Sequence, residues 1–188
     1  MNFDKVIEEI KKDVHSQPDE EWHAKGIKES CEHLLFIDTI FPFKTVLDLG
    51  CGSGLACKIF QEAKKECTGI SLSDEEAHEG VKILKQDIHD LEIKDNGYDL
   101  IFARHILEHS PIPMHILFEC KRIAKYSYIV IPDCNWMSIS HKNHYSVLTP
   151  EMWEKLFERV GLKIIEKIIG KWHAHPKGIE YRYLLNNK

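Results

Sequence analysis

The chain has 188 residues, enough for one domain with a full core. Its 30 acidic against 25 basic residues give a net charge of −5, which argues against a DNA or bulk RNA partner. No apolar run reaches membrane-spanning length, and the acidic, amphipathic start MNFDKVIEEIKKD does not resemble a signal peptide.

Taken in order, Phe3, Val6, Ile7, Ile10 and Val14 fall at helical spacing over 3–14. A second helix is expected over 21–40, with Ile27, Cys31, Leu34, Leu35 and Ile37 on one face and Pro42 beyond it. The first strand is expected at 45–49 and a helix at 54–64. Strands follow at 66–70 (ECTGI), 81–86 and 98–103 (YDLIFA). Ser73 reads as the N-cap of a short helix stopped by Gly80, and Asn96-Gly97 as a turn. A helix over 112–124 leads into a β-branched strand at 126–131. A long polar and aromatic connection covers 132–149. Thr149 then caps a helix with Pro150 at its first position, and Gly161 closes it. Strands at 162–169 and 179–185 are joined by a loop too short for a crossover helix, so they pair as an antiparallel hairpin. The alternation predicts an α/β sandwich whose seven strands form a mostly parallel sheet. We expect one domain, with residues 1–42 as a helical cap on a core of 43–188.

The centre of the chain is VLDLGCGSG at 46–54, a strand that carries one acid and runs into three alternating glycines before a helix. Glycine permits positive φ and lets a ligand approach the backbone. The helix start beyond offers unpaired N–H groups. None of the six cysteines lies in a CxxC pair, so they read as small hydrophobes in a reducing, cytoplasmic setting.

Several segments, in order and at the right spacing, resemble the class I S-adenosylmethionine-dependent methyltransferases. They are LDLGCGSG at 47–54, GISLSD at 69–74, QDIHDL at 86–91, YDLIFARHILEH at 98–109 and HYSVLTPEMWEKLFERVGLKIIE at 144–166. The resemblance implies a three-layer Rossmann-like form of the sandwich, with S-adenosyl-L-methionine as cofactor and S-adenosyl-L-homocysteine as product. It implies that Gly50, Cys51 and Gly52 present backbone to the methionine and ribose part, and that Asp48 acts near the ammonium. Asp87 would accept from the adenine amino group, and Ile88 would cover the ring. Ala103 and Arg104 would contribute backbone near the methionine end, and Trp22 would lie on the segment folded over the cofactor. The acid usual at the end of the second strand is replaced by Ser71, which loses a bidentate ribose contact. Either Asp74 or a water substitutes, or cofactor affinity is reduced.

His105 stands just past the fourth strand, where acceptor and methyl group meet. An imidazole there can take a proton from an incoming hydroxyl or amine. His144 and Tyr145, with Trp136 and Met137, lie in the long connection and suit an acceptor pocket equally with a packing role. His105 to His109 spells HxxEH, a zinc-peptidase string when mid-helix, but barely one helical turn fits before Pro111, so no metal is expected. His173 and His175 read as a solvated loop. The expected function is in-line methyl transfer to oxygen or nitrogen of a small-molecule acceptor by a monomer or homodimer. A cofactor-binding but silent partner subunit, or a protein or RNA methyltransferase, are the alternatives.

Overall fold

The structure, a computed structural model, describes residues 21–135 and 139–188; the expected helix over 3–14 and the pair Trp136 and Met137 lie outside them. The elements are α1 (Glu21–Ile37), β1 (Thr45–Leu49), α2 (Leu55–Glu62), β2 (Glu66–Ile70), β3 (Lys82–Leu84) and β4 (Tyr98–Arg104). A 3₁₀ turn (Leu107–His109) leads to α3 (Pro113–Ile123), β5 (Ala124–Pro132), α4 (Pro150–Val160), β6 (Lys163–Trp172) and β7 (Gly178–Asn186). The sheet order is β3-β2-β1-β4-β5-β7-β6. Strands β1 to β5 pair in parallel, and β7 runs antiparallel between β5 and β6. The order reverses between β1 and β4, which opens a crevice at the carboxyl ends of those strands.

Period-two alternation sorts the strand residues into two apolar layers. Leu47, Leu49, Ile101 and Ala103 pack with Ile116 and Leu117 of α3 and with Trp153 and Phe157 of α4. Val46, Leu100, Phe102 and Tyr128 pack on the other side with Ile27 and Leu34 of α1 and Phe60 of α2. Phe102 stacks on Tyr128 at 6.0 Å and meets Phe60 edge-on at 5.7 Å. By the same alternation Asp48 and Arg104 point to the α1 side. Two polar side chains are thereby carried beneath a helix, at the crevice end of the sheet.

The expected helix after Ser73 is absent. Ser71 Oγ accepts the Ser73 N–H at 3.0 Å, and Ser73 Oγ accepts the Glu75 N–H at 3.1 Å. These two local turns use the donors and side chains that a helix cap would have used. The His78 N–H goes to the Ser53 carbonyl at 3.0 Å, which draws the segment back over the glycine loop. The hairpin loop also differs from expectation. His173 is buried against Glu29 of α1, with Nε2 at 2.8 Å from its carboxylate, and is not a solvated histidine. Strand β3 is shorter than expected and β5 to β7 are longer. The caps of α4 are as read: Thr149 Oγ1 accepts the Met152 N–H, and Gly161 closes the helix at φ +81°.

Helix α1 reaches the sheet because Gly26 has no side chain. A Cβ there would fall 2.2 Å from Arg104 Nη2. Gly26→Ala must therefore displace either the helix or the guanidinium. We expect it to cost about 1–3 kcal/mol, read as a lower urea midpoint at unchanged slope.

Candidate active site

The glycine loop leaves β1 through two tight positions. Gly50 and Gly52 have φ of +73° and +53°, a region that side chains rarely adopt. The N–H groups of Gly50 and Cys51 both donate to the Ile70 carbonyl, at 2.9 and 3.0 Å, which fixes the loop to the end of β2. A Cβ on Gly50 would stand 2.6 Å from Ile106 Cδ1. Ile106, from the turn after β4, therefore roofs the first glycine; its apolar type gave no signal of this in the sequence.

Asp48 is buried, 3% exposed, among thiols. The Cys57 thiol donates to Oδ2 at a long 3.8 Å. Burial pushes the Asp48 carboxyl up to about 7, with that weak bond opposing the shift. Among the described residues no cation compensates this buried carboxyl.

Beyond β3, Asp87 Oδ1 accepts from the backbone N–H of His89 at 2.9 Å and from its Nδ1 at 2.7 Å. A carboxylate only accepts, so we assign the imidazole hydrogen to Nδ1. Nε2 then accepts from Ser110 Oγ at 2.8 Å. His89 thus clamps the candidate adenine acceptor to the chain beyond β4. Ile88 is partly buried against the α3-side core.

At the end of β4 the His105 N–H bonds to the Val130 carbonyl at 2.9 Å. This leaves the flanking main chain of Arg104 facing the β1 side, beyond where β1 has turned into Gly50. The Arg104 side chain turns away under α1, where Nη2 donates to Glu180 Oε2 at 2.8 Å. The charge of Arg104 is therefore spent on Glu180 and not in the crevice. Ala103 is fully buried. Trp22 sits in the first turn of α1, edge-on to His23 at 5.3 Å.

His105 has a left-handed φ of +51°, unusual for a residue with a side chain. Its Nε2 donates to Glu180 Oε2 at 3.1 Å, and its ring lies against Trp172. Nδ1 is thereby left as the acceptor, 3.8 Å from Glu108 Oε1. Burial and the charge of Arg104 lower the His105 imidazole to about 4, against the opposing pull of Glu180. Burial alone would raise the Glu180 carboxyl, but the His105 bond and the charges of Arg104 and Arg182 hold it at about 2. Burial pushes Glu108 up to about 8.

The loop after β5 brings His144 to this turn, 4.7 Å from the His109 ring and stacked on His141 at 4.4 Å. His109 Nδ1 donates to the Asn143 carbonyl at 3.0 Å, and burial together with His144 lowers its imidazole to about 3. Glu108, His109 and His144 offer ligand atoms within 4.8 Å of one another, a spacing that one divalent cation could bridge. His105 is not among them, so the HxxEH string does not act as the mid-helix zinc pair its letters suggest. Tyr145 is exposed at the loop surface.

The pH response of Asp48 gives a test. Its folded-state carboxyl titrates near 7, above the ordinary 3.8, so the protonated form is favoured in the fold. The destabilisation it causes is full above about 7 and gone below about 4. Asp48→Asn should stabilise the unliganded protein by up to about 4 kcal/mol at pH 8 and by nearly nothing at pH 4, as read from chemical denaturation at the two pH values.

Comparisons with known proteins agree with this geometry. Residues 47–130 match the family described as a methyltransferase domain. A ubiquinone biosynthesis O-methyltransferase from Vibrio campbellii is 26% identical over 149 residues, which is 73% of this chain and 58% of that protein. A second, from Nitrosospira multiformis, is 30% identical over 93 residues and is matched over 39% of its length, so the chain spans only part of the curated relatives it matches. A solved S-adenosylmethionine-dependent methyltransferase from Archaeoglobus fulgidus superposes with a TM-score of 0.63 at 16% identity, over 98% of this chain and 100% of that one. No helix among the described residues is long and apolar enough to cross a membrane. Over residues 47–130 the chain is thus similar to a methyltransferase domain, and its strand order with the reversal at β1 is the fold of solved S-adenosylmethionine-dependent methyltransferases.

Proposed function

We infer that the protein transfers the methyl group of S-adenosylmethionine to an oxygen of a small-molecule acceptor, with a nitrogen acceptor as the nearer alternative. The observation that carries this is Asp48, a buried carboxyl at the mouth of the glycine loop with no cationic partner among the described residues. The cofactor's ammonium is a cation of the right kind for it. The names of the matching relatives, O-methyltransferases of ubiquinone biosynthesis, support an oxygen acceptor on a small molecule. The net charge of −5 is in keeping with an acceptor that is not a nucleic acid.

The sulfonium of the cofactor supplies the electrophilic methyl group when bound. The chain's own work is to orient and to exclude water. The glycine loop and Asp48 fix the amino-acid end, and Asp87 with Ile88 fixes the purine. The turn Arg104–His109 would present the acceptor to the methyl group in line. His105 suits the part of base. Unprotonated at neutral pH, with Nε2 fixed on Glu180, it keeps the Nδ1 lone pair available for the acceptor's proton.

Cofactor binding should ionise Asp48. Calorimetry of S-adenosylhomocysteine at pH 7 in buffers of different ionisation heat should show release of about half a proton, since the apo carboxyl titrates near 7. Asp48→Asn should abolish the release and weaken binding by tenfold or more, roughly 1.5–3 kcal/mol for a bond to a charged group. Unchanged affinity would remove Asp48 from the site.

A radiolabelled methyl-transfer assay over phenols, catechols and amines tests the acceptor class. With any accepted substrate, His105→Gln should lower kcat by about 10²–10⁴. At saturating cofactor, which keeps Asp48 ionised, the wild-type kcat/KM for the acceptor should stay level from pH 7 to about 5 and fall as the imidazole protonates near 4. An acid limb near 6.5 that is unmoved in the variant would exclude His105 as the base.

A further inference from the structure

The segment from Ser71 to Gly80 lies over the glycine loop, and it delivers a carboxylate there that the sequence pattern did not single out. Glu75 Oε2 stands 3.1 Å from where a Cβ on Gly52 would be. Its other oxygen, Oε1, is buried and has no hydrogen-bond partner among the described residues. A buried carboxylate oxygen without a donor is costly unless a ligand supplies one. Glu75 is held in this place by its N–H on Ser73 Oγ and, further along, by the His78 N–H on the Ser53 carbonyl. Gly54 is covered from the same side, since a Cβ there would fall 2.7 Å from Val81 Cγ1.

The two residues that sequence reasoning put forward for the ribose do not fill the role. The Ser71 hydroxyl oxygen is occupied by the Ser73 N–H at 3.0 Å and carries no charge. Asp74 is exposed and paired with Lys85, away from the loop. We propose that Glu75 is the ribose-binding residue of the crevice, its carboxylate accepting from the vicinal hydroxyls of the cofactor while Gly52 leaves room for the sugar beside it. A planar carboxylate matches two neighbouring O–H donors as a lone hydroxyl cannot. The failed helix after β2 then has a purpose. A helix starting at Ser73 would carry the Glu75 side chain outward, whereas two successive side-chain turns bring it back onto Gly52. The proposal rests on the cofactor reading above.

The experiment is a calorimetric titration of S-adenosylhomocysteine and its 2′-deoxy and 3′-deoxy analogues into the wild type, Glu75→Ala, Glu75→Gln, Ser71→Ala and Ser71→Asp. We expect the wild type to bind the deoxy analogues about tenfold or more weakly than the parent. Glu75→Ala and Glu75→Gln should lose a similar factor toward the parent and no longer distinguish the three ligands, whereas Ser71→Ala, which loses one of the two turns that place Glu75, should bind the parent more weakly but still distinguish the three ligands. Ser71→Asp should weaken the parent, because a second carboxylate would face the same diol. If the Glu75 variants keep the wild-type discrimination, or if Ser71→Asp tightens binding, Glu75 is not the ribose acceptor while the cofactor reading stands. If the wild type fails to bind S-adenosylhomocysteine at millimolar concentration, the cofactor reading falls and Glu75 falls with it.

Discussion

Glu180 holds three parts of the molecule against one another. Its carboxylate is fully buried and accepts from Arg104 Nη2, His105 Nε2 and Arg182 Nε, at 2.8, 3.1 and 2.7 Å. Arg182 passes the linkage to Glu29 of α1 at 2.9 Å, and Glu29 also holds His173 of the hairpin loop. Helix α1, the end of β4 and the β6–β7 hairpin are thus tied through one anion. Two guanidinium groups and two carboxylates balance in charge if His105 is neutral, which its depressed titration near 4 secures at ordinary pH. Such a cluster need not raise net stability over a well-packed apolar one. Removing its central anion would nonetheless strand buried cations, at about 3–5 kcal/mol. Its value is in position: it sets the imidazole of His105 at the crevice and brings α1 down over it.

Asp48 is the opposite case, although it lies on the same side of the sheet. Both carboxylates are buried, yet Glu180 is held at about 2 and Asp48 is pushed up to about 7. The difference is the supply of donors. Glu180 has two arginines and an imidazole, whereas Asp48 has one distant thiol. A folded chain keeps an uncompensated acid of this sort at a cost in stability. Sites that must bind a cation show this trade, because the ligand completes the charge balance.

The neighbouring histidines extend the contrast. His105 and His109 are both lowered by burial, and both are neutral in the working range. They differ in what the ring nitrogens do. His109 gives its Nδ1 hydrogen to the Asn143 carbonyl and packs against His144, which ties the loop after β5 to the 3₁₀ turn. His105 is anchored from behind by Glu180 and presents the other nitrogen. Two histidines four residues apart thus come to separate duties, because the 3₁₀ turn and the left-handed φ of His105 send their side chains different ways. The fold alone does not fix the chemistry at such a turn.

The sequence by itself determined the strand–glycine loop–helix at 46–54, the order of the central elements and the antiparallel pairing of the last two strands. Those features are written in local terms: period-two apolar runs, glycines where φ must be positive, and a loop too short for a crossover. It also marked Asp48, Asp87 and His105, because an acid or imidazole at the end of a buried strand stands out against its neighbours. The helix expected after Ser73 failed because Ser71 and Ser73 bond their own backbone, a competition that propensity alone does not decide. Ile106 over Gly50, Glu75 over Gly52, His89 behind Asp87 and Glu180 behind His105 were decided only by the tertiary structure. Apart from His89 and Asp87, which are neighbours in one loop and are tied to the chain beyond β4 only through Ser110, each pair joins different strands or loops, up to 75 residues apart for His105 and Glu180. What brings them together is the sheet order, which puts β7 beside β5 and so sets its carboxylate against the end of β4. Spacing along the chain carries no trace of that juxtaposition, because register between non-consecutive strands is settled by the packing of the whole core.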